Sequence, residues 1–377
     1  MKPVTISVAT LAFLATAACI FAFACKKNNT PNNPPPEDPD WPTDDIRVVV
    51  GTSISRPWEI LWGPDNFIWM TERNGKVSRV NPKTGALSPL LTIPDAVQEG
   101  EGGLLGMVLH PDFTTNPQVF IVYNYRNAGN YREKVVRYQY ADNTLKDPVT
   151  LLDNIPASGI HNGSRLLITP DRKLFITAGD ANVQANAQVT TSLSGKVLRI
   201  NLDGTIPADN PFPGSAVWSY GHRNPQGMVM NNGILYTSEH GAGVEDEVNI
   251  IEKQRNYGWP NVEGPCNPGG EATFCTANNV KEPLWSTGNS TFALCGLDYY
   301  NNDRIPQWKG SLLVLSLKNQ TLYQLKLGAD GKTVASTKNY FANQYGRLRD
   351  LCISPAGRVY ICTDDNAGKI IEISKPE

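Results

Sequence analysis

One hairpin recurs along this chain: an apolar run, a Pro-Asp or similar turn, a second apolar run, then a Gly-containing turn into a third. Residues 60–69 carry it around Gly63-Pro64-Asp65-Asn66, residues 166–176 around Thr169-Pro170-Asp171-Arg172, and residues 351–361 around Ser354-Pro355-Ala356-Gly357. Third runs follow at 75–80, 195–200 and 368–373. Units starting near Arg56, Gly102, Gly163, Asn224, Gly296 and Gly346 are spaced by about 46, 61, 61, 72 and 50 residues, which suits a four-stranded blade carrying loops. Six such units predict an all-β chain closed as a six-bladed β-propeller of four-stranded antiparallel blades over residues 46–377. One blade alone buries only part of its apolar surface and leaves its edges open, and closing the ring answers both problems. A sandwich or two stacked β domains is the competing arrangement. The 32 Gly and 28 Pro fall between short apolar runs, as many turns and few helices require.

Ahead of the repeat, Lys2 precedes an almost uninterrupted apolar stretch from residue 4 to 23, followed by Ala24-Cys25-Lys26-Lys27. This predicts an export signal over residues 1–24, and the junction resembles a bacterial lipoprotein cleavage site with Cys25 lipidated. Cys19, after Ala17-Ala18, is the competing site, and an uncleaved anchor the competing reading. All place the domain outside the cytoplasmic membrane, facing the periplasm or the cell surface. Residues 25–45, rich in Pro and Asn and without apolar periodicity, are expected to be a tether. Of the five remaining cysteines, Cys266 and Cys275 flank a Gly/Pro loop and can pair in an exported protein, while the odd count leaves a free thiol or an intermolecular bridge. No CxxC or Cys/His cluster supports zinc. With 34 Lys and Arg against 36 Asp and Glu, general attraction to nucleic acid is excluded, and contact with a membrane is expected only through the lipid.

In a propeller, polar residues just before the inner strands converge at one mouth of the central channel. Those segments are Gly100-Glu101-Gly102-Gly103, Ile160-His161-Asn162-Gly163, residues 221–226, Ser290-Thr291 and Gly346-Arg347-Leu348-Arg349. His161, His222 and His240 lie in or beside them, and an imidazole is the natural general base. His161 is the candidate, whereas His110, in a Pro-Asp turn, is expected to be structural. Arg223, Lys318, Arg347 and Arg349 bring four cations to a chain of net charge −2, which predicts a multiply anionic ligand. Pairing with Asp350 or Asp364 is the alternative. Residues 238–247 gather acids and glycines whose oxygens suit Ca²⁺, or form an acidic turn.

Together with residues 102–106, 110–113, 161–166, 195–200, 206–212, 220–227, 256–260 and 347–350, these segments resemble the soluble quinoprotein sugar dehydrogenases, and more closely the aldose sugar dehydrogenase branch of the glucose/sorbosone dehydrogenase family. The resemblance runs from about Arg56 to Ile373. It implies a propeller that holds pyrroloquinoline quinone (PQQ) with Ca²⁺ over the channel, oxidises aldose sugars at the anomeric carbon to lactones, and hands electrons to an unidentified acceptor. By motif position it implies His161 as base and Arg223 beside the reactive carbonyl. Asn224, His240, Thr291, Lys318, Arg347 and Arg349 match cofactor contacts. Gly241 and Ala242 match the carbonyl ligands of catalytic Ca²⁺, and Glu247 and Tyr257 match ligands of structural calcium. Three positions depart from the pattern: Glu101 replaces a glutamine on the substrate side, Ile160 stands where the glucose branch has aspartate, and Ala242 replaces a proline. A carboxylate near His161 can raise the imidazole pKa or grip a sugar hydroxyl, and the change at 160 is expected to remove an orienting partner. A non-catalytic sugar- or protein-binding propeller and a metal-dependent, lactonase-like hydrolase are the alternatives.

Overall fold

The computed structural model describes Met1 and residues 41–375. The export signal, Cys19 and Cys25 lie outside the described residues. Six antiparallel sheets of four strands each make up the fold. Their inner strands are Pro57–Trp62, Leu104–Leu109, Gly163–Ile168, Pro225–Asn231, Leu294–Tyr300 and Leu348–Ile353, each starting within two residues of a repeat boundary expected above. Each inner strand packs against the next, and the last against the first, which closes the ring of a six-bladed β-propeller.

Closure uses the two ends of the domain. The outer strand of blade 6 is the N-terminal Ile46–Ile54, paired antiparallel with Gly368–Ile373 so that Ile46 faces Ile373. Residues ahead of this strand also pack on blade 6: the Trp41 indole donates to Glu372 Oε1 at 3.0 Å, and the Arg358 guanidinium lies 4.9 Å from its ring. The apolar core is divided into six clusters, one at each blade–blade seam. Trp69 of blade 1, for example, meets Phe113 and Tyr140 of blade 2 edge-on at 5.4 and 5.1 Å. Because blades stack face to face, a second strand such as Ile68–Glu72 is buried along its whole length, whereas the outer strand Val334–Tyr340 is mostly exposed.

Two features of the inner strands shape the mouth. All six shift register in their first residues, between Pro57 and Glu59, Leu104 and Met107, Gly163 and Leu166, Pro225 and Gly227, Leu294 and Leu297, and Leu348 and Asp350. Such irregularities bend the strand end and re-aim its side chains. Deeper along the axis, Arg165 pairs with Glu59 and, at 3.0 Å, with Asp350, and its guanidinium lies 4.4 Å from the Trp58 ring.

Candidate active site at the mouth of the channel

The blades deliver side chains to the mouth from two places. One is the start of the inner strand; the other is the residue or two after the second strand, which runs antiparallel and returns to the same end. The first supplies Glu101, His161, Arg223, Thr291, Arg347 and Arg349. The second supplies Arg73, Asp180, His240, Lys318 and Asp364, following strands that end at Glu72, Ala178, Glu239, Ser316 and Thr363.

His161 sits in a left-handed turn at φ +59. Its Nδ1 lies 2.8 Å from Asp180 Oδ1, with 12% of the histidine side chain exposed and none of the aspartate's. The same carboxylate accepts the Trp259 indole N–H at 2.9 Å and the Asn182 backbone N–H at 2.8 Å. An acceptor so fixed keeps the proton on Nδ1 and leaves the Nε2 lone pair for the mouth. The expected loss of an orienting partner at position 160 is therefore corrected: Ile160 is exposed, and Asp180 does the orienting from the next strand. Glu101 is exposed, and its Oε2 accepts the His161 backbone N–H at 3.4 Å, a contact with the main chain of the candidate base.

On blade 4 the Arg223 guanidinium lies 5.4 Å from the Trp259 ring and donates to the His240 carbonyl at 3.3 Å. Asn224 accepts the Gly163 N–H at 3.0 Å, tying this blade to the base turn. Burial, then Arg349 and Arg223, push the His240 imidazole well below its usual range, so it is neutral. Three buried nitrogens have no partner here: Nε2 of His240 and Nε of Arg223 and of Arg349. Buried polar atoms are rarely left so, and these three point to a polar ligand.

Asp364 collects Arg347 at 3.4 Å, Arg349 at 3.5 Å, Arg56 at 3.6 Å and Arg73 at 3.9 Å. Burial works against its charge, yet Arg349, Arg347 and the other two hold its carboxyl below the usual range. One carboxylate among four guanidiniums leaves net positive charge, so pairing with Asp364 does not remove the anion-binding character expected of Arg347 and Arg349. Asp350 is not their partner; it turns into the channel to Arg165. Arg349 also donates to Gln226 Oε1 at 2.6 Å. Arg73 donates to the carbonyls of Gly100 and Gly102, bracketing the Glu101 turn. On blade 5 the exposed Lys318 donates to Thr291 Oγ1 at 2.8 Å, bringing two expected residues together.

The acidic loop is built around Asp246, whose Oδ1 accepts the Gly241 N–H at 2.8 Å while Oδ2 accepts Phe292 and Leu294 N–H from blade 5. A Cβ at Gly241 would lie 1.8 Å from the Val244 carbonyl, so only glycine fits. Glu247 faces Glu239 across the sheet, and burial, then Glu239, push its carboxyl up to about 8. Facing buried acids are relieved by a cation, so this pair fits Ca²⁺. The Tyr257 hydroxyl is committed to the Ile250 carbonyl at 2.6 Å and the Glu252 N–H at 2.9 Å, leaving its own carbonyl as the oxygen it can offer. Among the described residues no group of three or more His, Cys, Asp or Glu side chains is spaced to hold a metal, so a cation here would need backbone carbonyls beside the carboxylates. His222 is buried between Glu239 (3.0 Å) and Ser219 (2.9 Å) and supports Glu239 from behind. His110 accepts the Asp112 N–H at 3.1 Å and is structural, as expected.

Sequence reasoning missed Asp180, Arg73, Arg56 and Trp259 as site residues. For Asp180 and Arg73 the available signal was positional, as polar residues directly after the second apolar run of a repeat, and Arg56 stands directly before an inner strand.

Residues 54–372 match the Glucose / Sorbosone dehydrogenase family. The chain is 33% identical to quinoprotein glucose dehydrogenase B of Acinetobacter calcoaceticus, over 86% of each chain. It is 32% identical to the aldose sugar dehydrogenase YliI of Escherichia coli (strain K12), over 86% of this chain and 92% of that one. Among solved structures, the PQQ-bound aldose sugar dehydrogenase of Streptomyces coelicolor is similar with TM-score 0.75 at 29% identity, over 87% of this chain and 97% of the other. The apo form of the soluble aldose sugar dehydrogenase of Escherichia coli is similar with TM-score 0.80 at 32% identity, over 88% and 99%.

Proposed function

This chain belongs to the glucose/sorbosone dehydrogenase family, and from that premise we propose that it is a PQQ- and Ca²⁺-dependent aldose dehydrogenase that oxidises the anomeric hydroxyl of a sugar to a lactone. The observation that carries the reading is one mouth that holds both an oriented imidazole and a cationic belt with orphaned buried nitrogens. Bound PQQ would supply the acceptor for the hydride of the anomeric carbon, with Ca²⁺ on the Gly241 and Ala242 carbonyls adding positive charge beside it. Arg223, Asn224, His240, Lys318, Thr291, Arg347 and Arg349 would hold the polyanion. His161 Nε2 takes the hydroxyl proton while Asp180 stabilises the imidazolium that forms. Neutral His240 offers Nε2 as a donor or acceptor without adding to the local charge. Glu101 accepts a sugar hydroxyl at the outer edge. Glu247 and the Tyr257 carbonyl would hold a structural calcium. A lipid on Cys25 would tether the domain outside the cytoplasmic membrane; Cys25→Ala should release it from the membrane fraction.

The deciding experiment adds PQQ and Ca²⁺ to the purified protein, follows visible absorbance, and then measures dye reduction with a panel of aldoses. Saturable uptake with sugar-dependent reduction supports the proposal, and absence of uptake rejects it. Lactone hydrolysis without any quinone would favour a hydrolase. His161→Ala should retain uptake and lose turnover by roughly 10²–10⁴-fold.

A further inference from the structure

Below the mouth lies a buried acid that this chemistry does not use. Glu133, in the third strand of blade 2, Asn130–Ala141, is 1% exposed, with Asn124 and Ile155 as its cross-strand neighbours. Its Oε2 accepts the hydroxyl of Ser164 from blade 3 at 2.7 Å, and its Oε1 is buried without a partner. Ser164 is fully buried at φ +74 and follows His161 at φ +59 and Gly163 at φ +70. Left-handed backbone at residues other than glycine persists only where the surroundings impose it. Blade 2 also makes room for this conformation, since a Cβ at Gly106 would lie 2.1 Å from the Ser164 carbonyl.

We propose that Glu133 is a positioning residue for the base: across the seam between blades 2 and 3 it holds the left-handed turn at Ser164 that aims the His161 imidazole into the mouth. The inference rests on the proposed role of His161. Burial pushes the Glu133 carboxyl up to about 8, and Ser164 and Asn124 offset only part of that rise. The groups around it bring no compensating cation. Tyr131, on the same strand, is itself raised by burial and stays neutral, and Arg165, next to Ser164, turns into the channel to Glu59 and Asp350. Ionised Glu133 is therefore an uncompensated buried charge, and the seam loosens as pH passes about 8. The sign for stability follows from the raised value. Between the unfolded value near 4.5 and the folded value of about 8, the folded chain keeps a proton that the unfolded chain loses, so stability falls as pH rises.

The test uses the full chain with Glu133→Gln, Glu133→Leu, Ser164→Gly and Glu133→Leu/Ser164→Gly. Without cofactor, the His161 ring resonance and the pH dependence of thermal unfolding are measured; with PQQ and Ca²⁺, kcat and KM are measured across pH. Glu133→Gln should flatten the stability slope, keep kcat within about twofold at neutral pH, and lose the alkaline fall. Glu133→Leu should shift the His161 resonance and lower kcat about tenfold with KM unchanged. Glycine at 164 takes positive φ without the hydroxyl bond, so the double variant should return both the resonance and most of kcat. An unmoved resonance in Glu133→Leu, or a double variant that restores neither signal, overturns the inference. If Glu133→Leu does not fold, Ser164→Gly decides: an alkaline fall in kcat persisting there at wild-type size overturns it, and its disappearance supports it. Resonance changes that follow this pattern in a protein that oxidises no sugar would defeat the proposed function and leave the positioning role standing.

Discussion

His161 and Asp180 show how one hydrogen bond divides labour between two residues. The aspartate has no route to the substrate, yet it sets the tautomer and aim of the imidazole. Asp180→Asn preserves size and removes the charge that stabilises the imidazolium, so kcat should fall by roughly 10²–10⁴-fold while KM changes little, as read by steady-state dye reduction. Asp364 makes a prediction in pH. Its folded value lies below the unfolded value near 3.8, so its stabilisation is complete above that value and is lost as pH falls through the folded one. Thermal unfolding followed into acid should show Asp364→Asn less stable than wild type at neutral pH and less sensitive to acid. His161 was legible in the sequence because it stands directly before an inner strand among small residues. Asp180 was not, because its contact arises from the return of the next strand to the same end of the blade.

Between the second and third strands of blade 3, residues 179–195 form a brace for the site. The buried Lys196 ammonium donates to the carbonyls of Asn186, Ala187 and Ser194, and Gln188 bonds Asn256 and the Trp259 carbonyl. Trp259 in turn holds Asp180. Lys196→Met removes a donor from three carbonyls and leaves that of Ser194 without its lysine partner, while those of Asn186 and Ala187 keep the backbone N–H of Val189 and Gly221; it should cost roughly 1–3 kcal/mol in thermal or denaturant unfolding. It should also lower kcat more than PQQ affinity. A second loop behaves differently. Cys266 and Cys275 are joined, as their loop allowed, and Cys295, Cys352 and Cys362 are buried free thiols. The enclosed helix Gly270–Asn278 buries none of its residues, so the bridge supports this excursion and not the core. Cys266→Ser/Cys275→Ser should open it to limited proteolysis at residues 263–279 while the main unfolding transition stays in place. The hairpin repeats were readable because each blade must bury the same two faces. The mouth-end irregularities were not, since they answer to the curvature of a closed ring.

Closure is a property of the whole ring. Blade 6 takes its outer strand from the start of the domain, so the last sheet completes only when both chain ends have met. Removing residues 41–54 should leave an unpaired edge at Gly368–Ile373 and expose the blade 6–blade 1 seam. Calorimetry should then show a lower or lost cooperative transition, and size-exclusion chromatography should show association. The repeat by itself determined the fold class, the number of blades and the end of the ring at which the candidate residues gather, because strand alternation and turn residues are local and recur with the unit. The charge neighbourhood was decided only by tertiary structure. Four guanidiniums share Asp364, Asp350 turns away to Arg165, and Asp180 takes up His161. The pairings of Arg56 and Arg73 with Asp364 and of Arg165 with Asp350 join blades distant in the chain, at distances set by how six sheets close around one axis, whereas His161 and Asp180 meet on neighbouring strands of one blade.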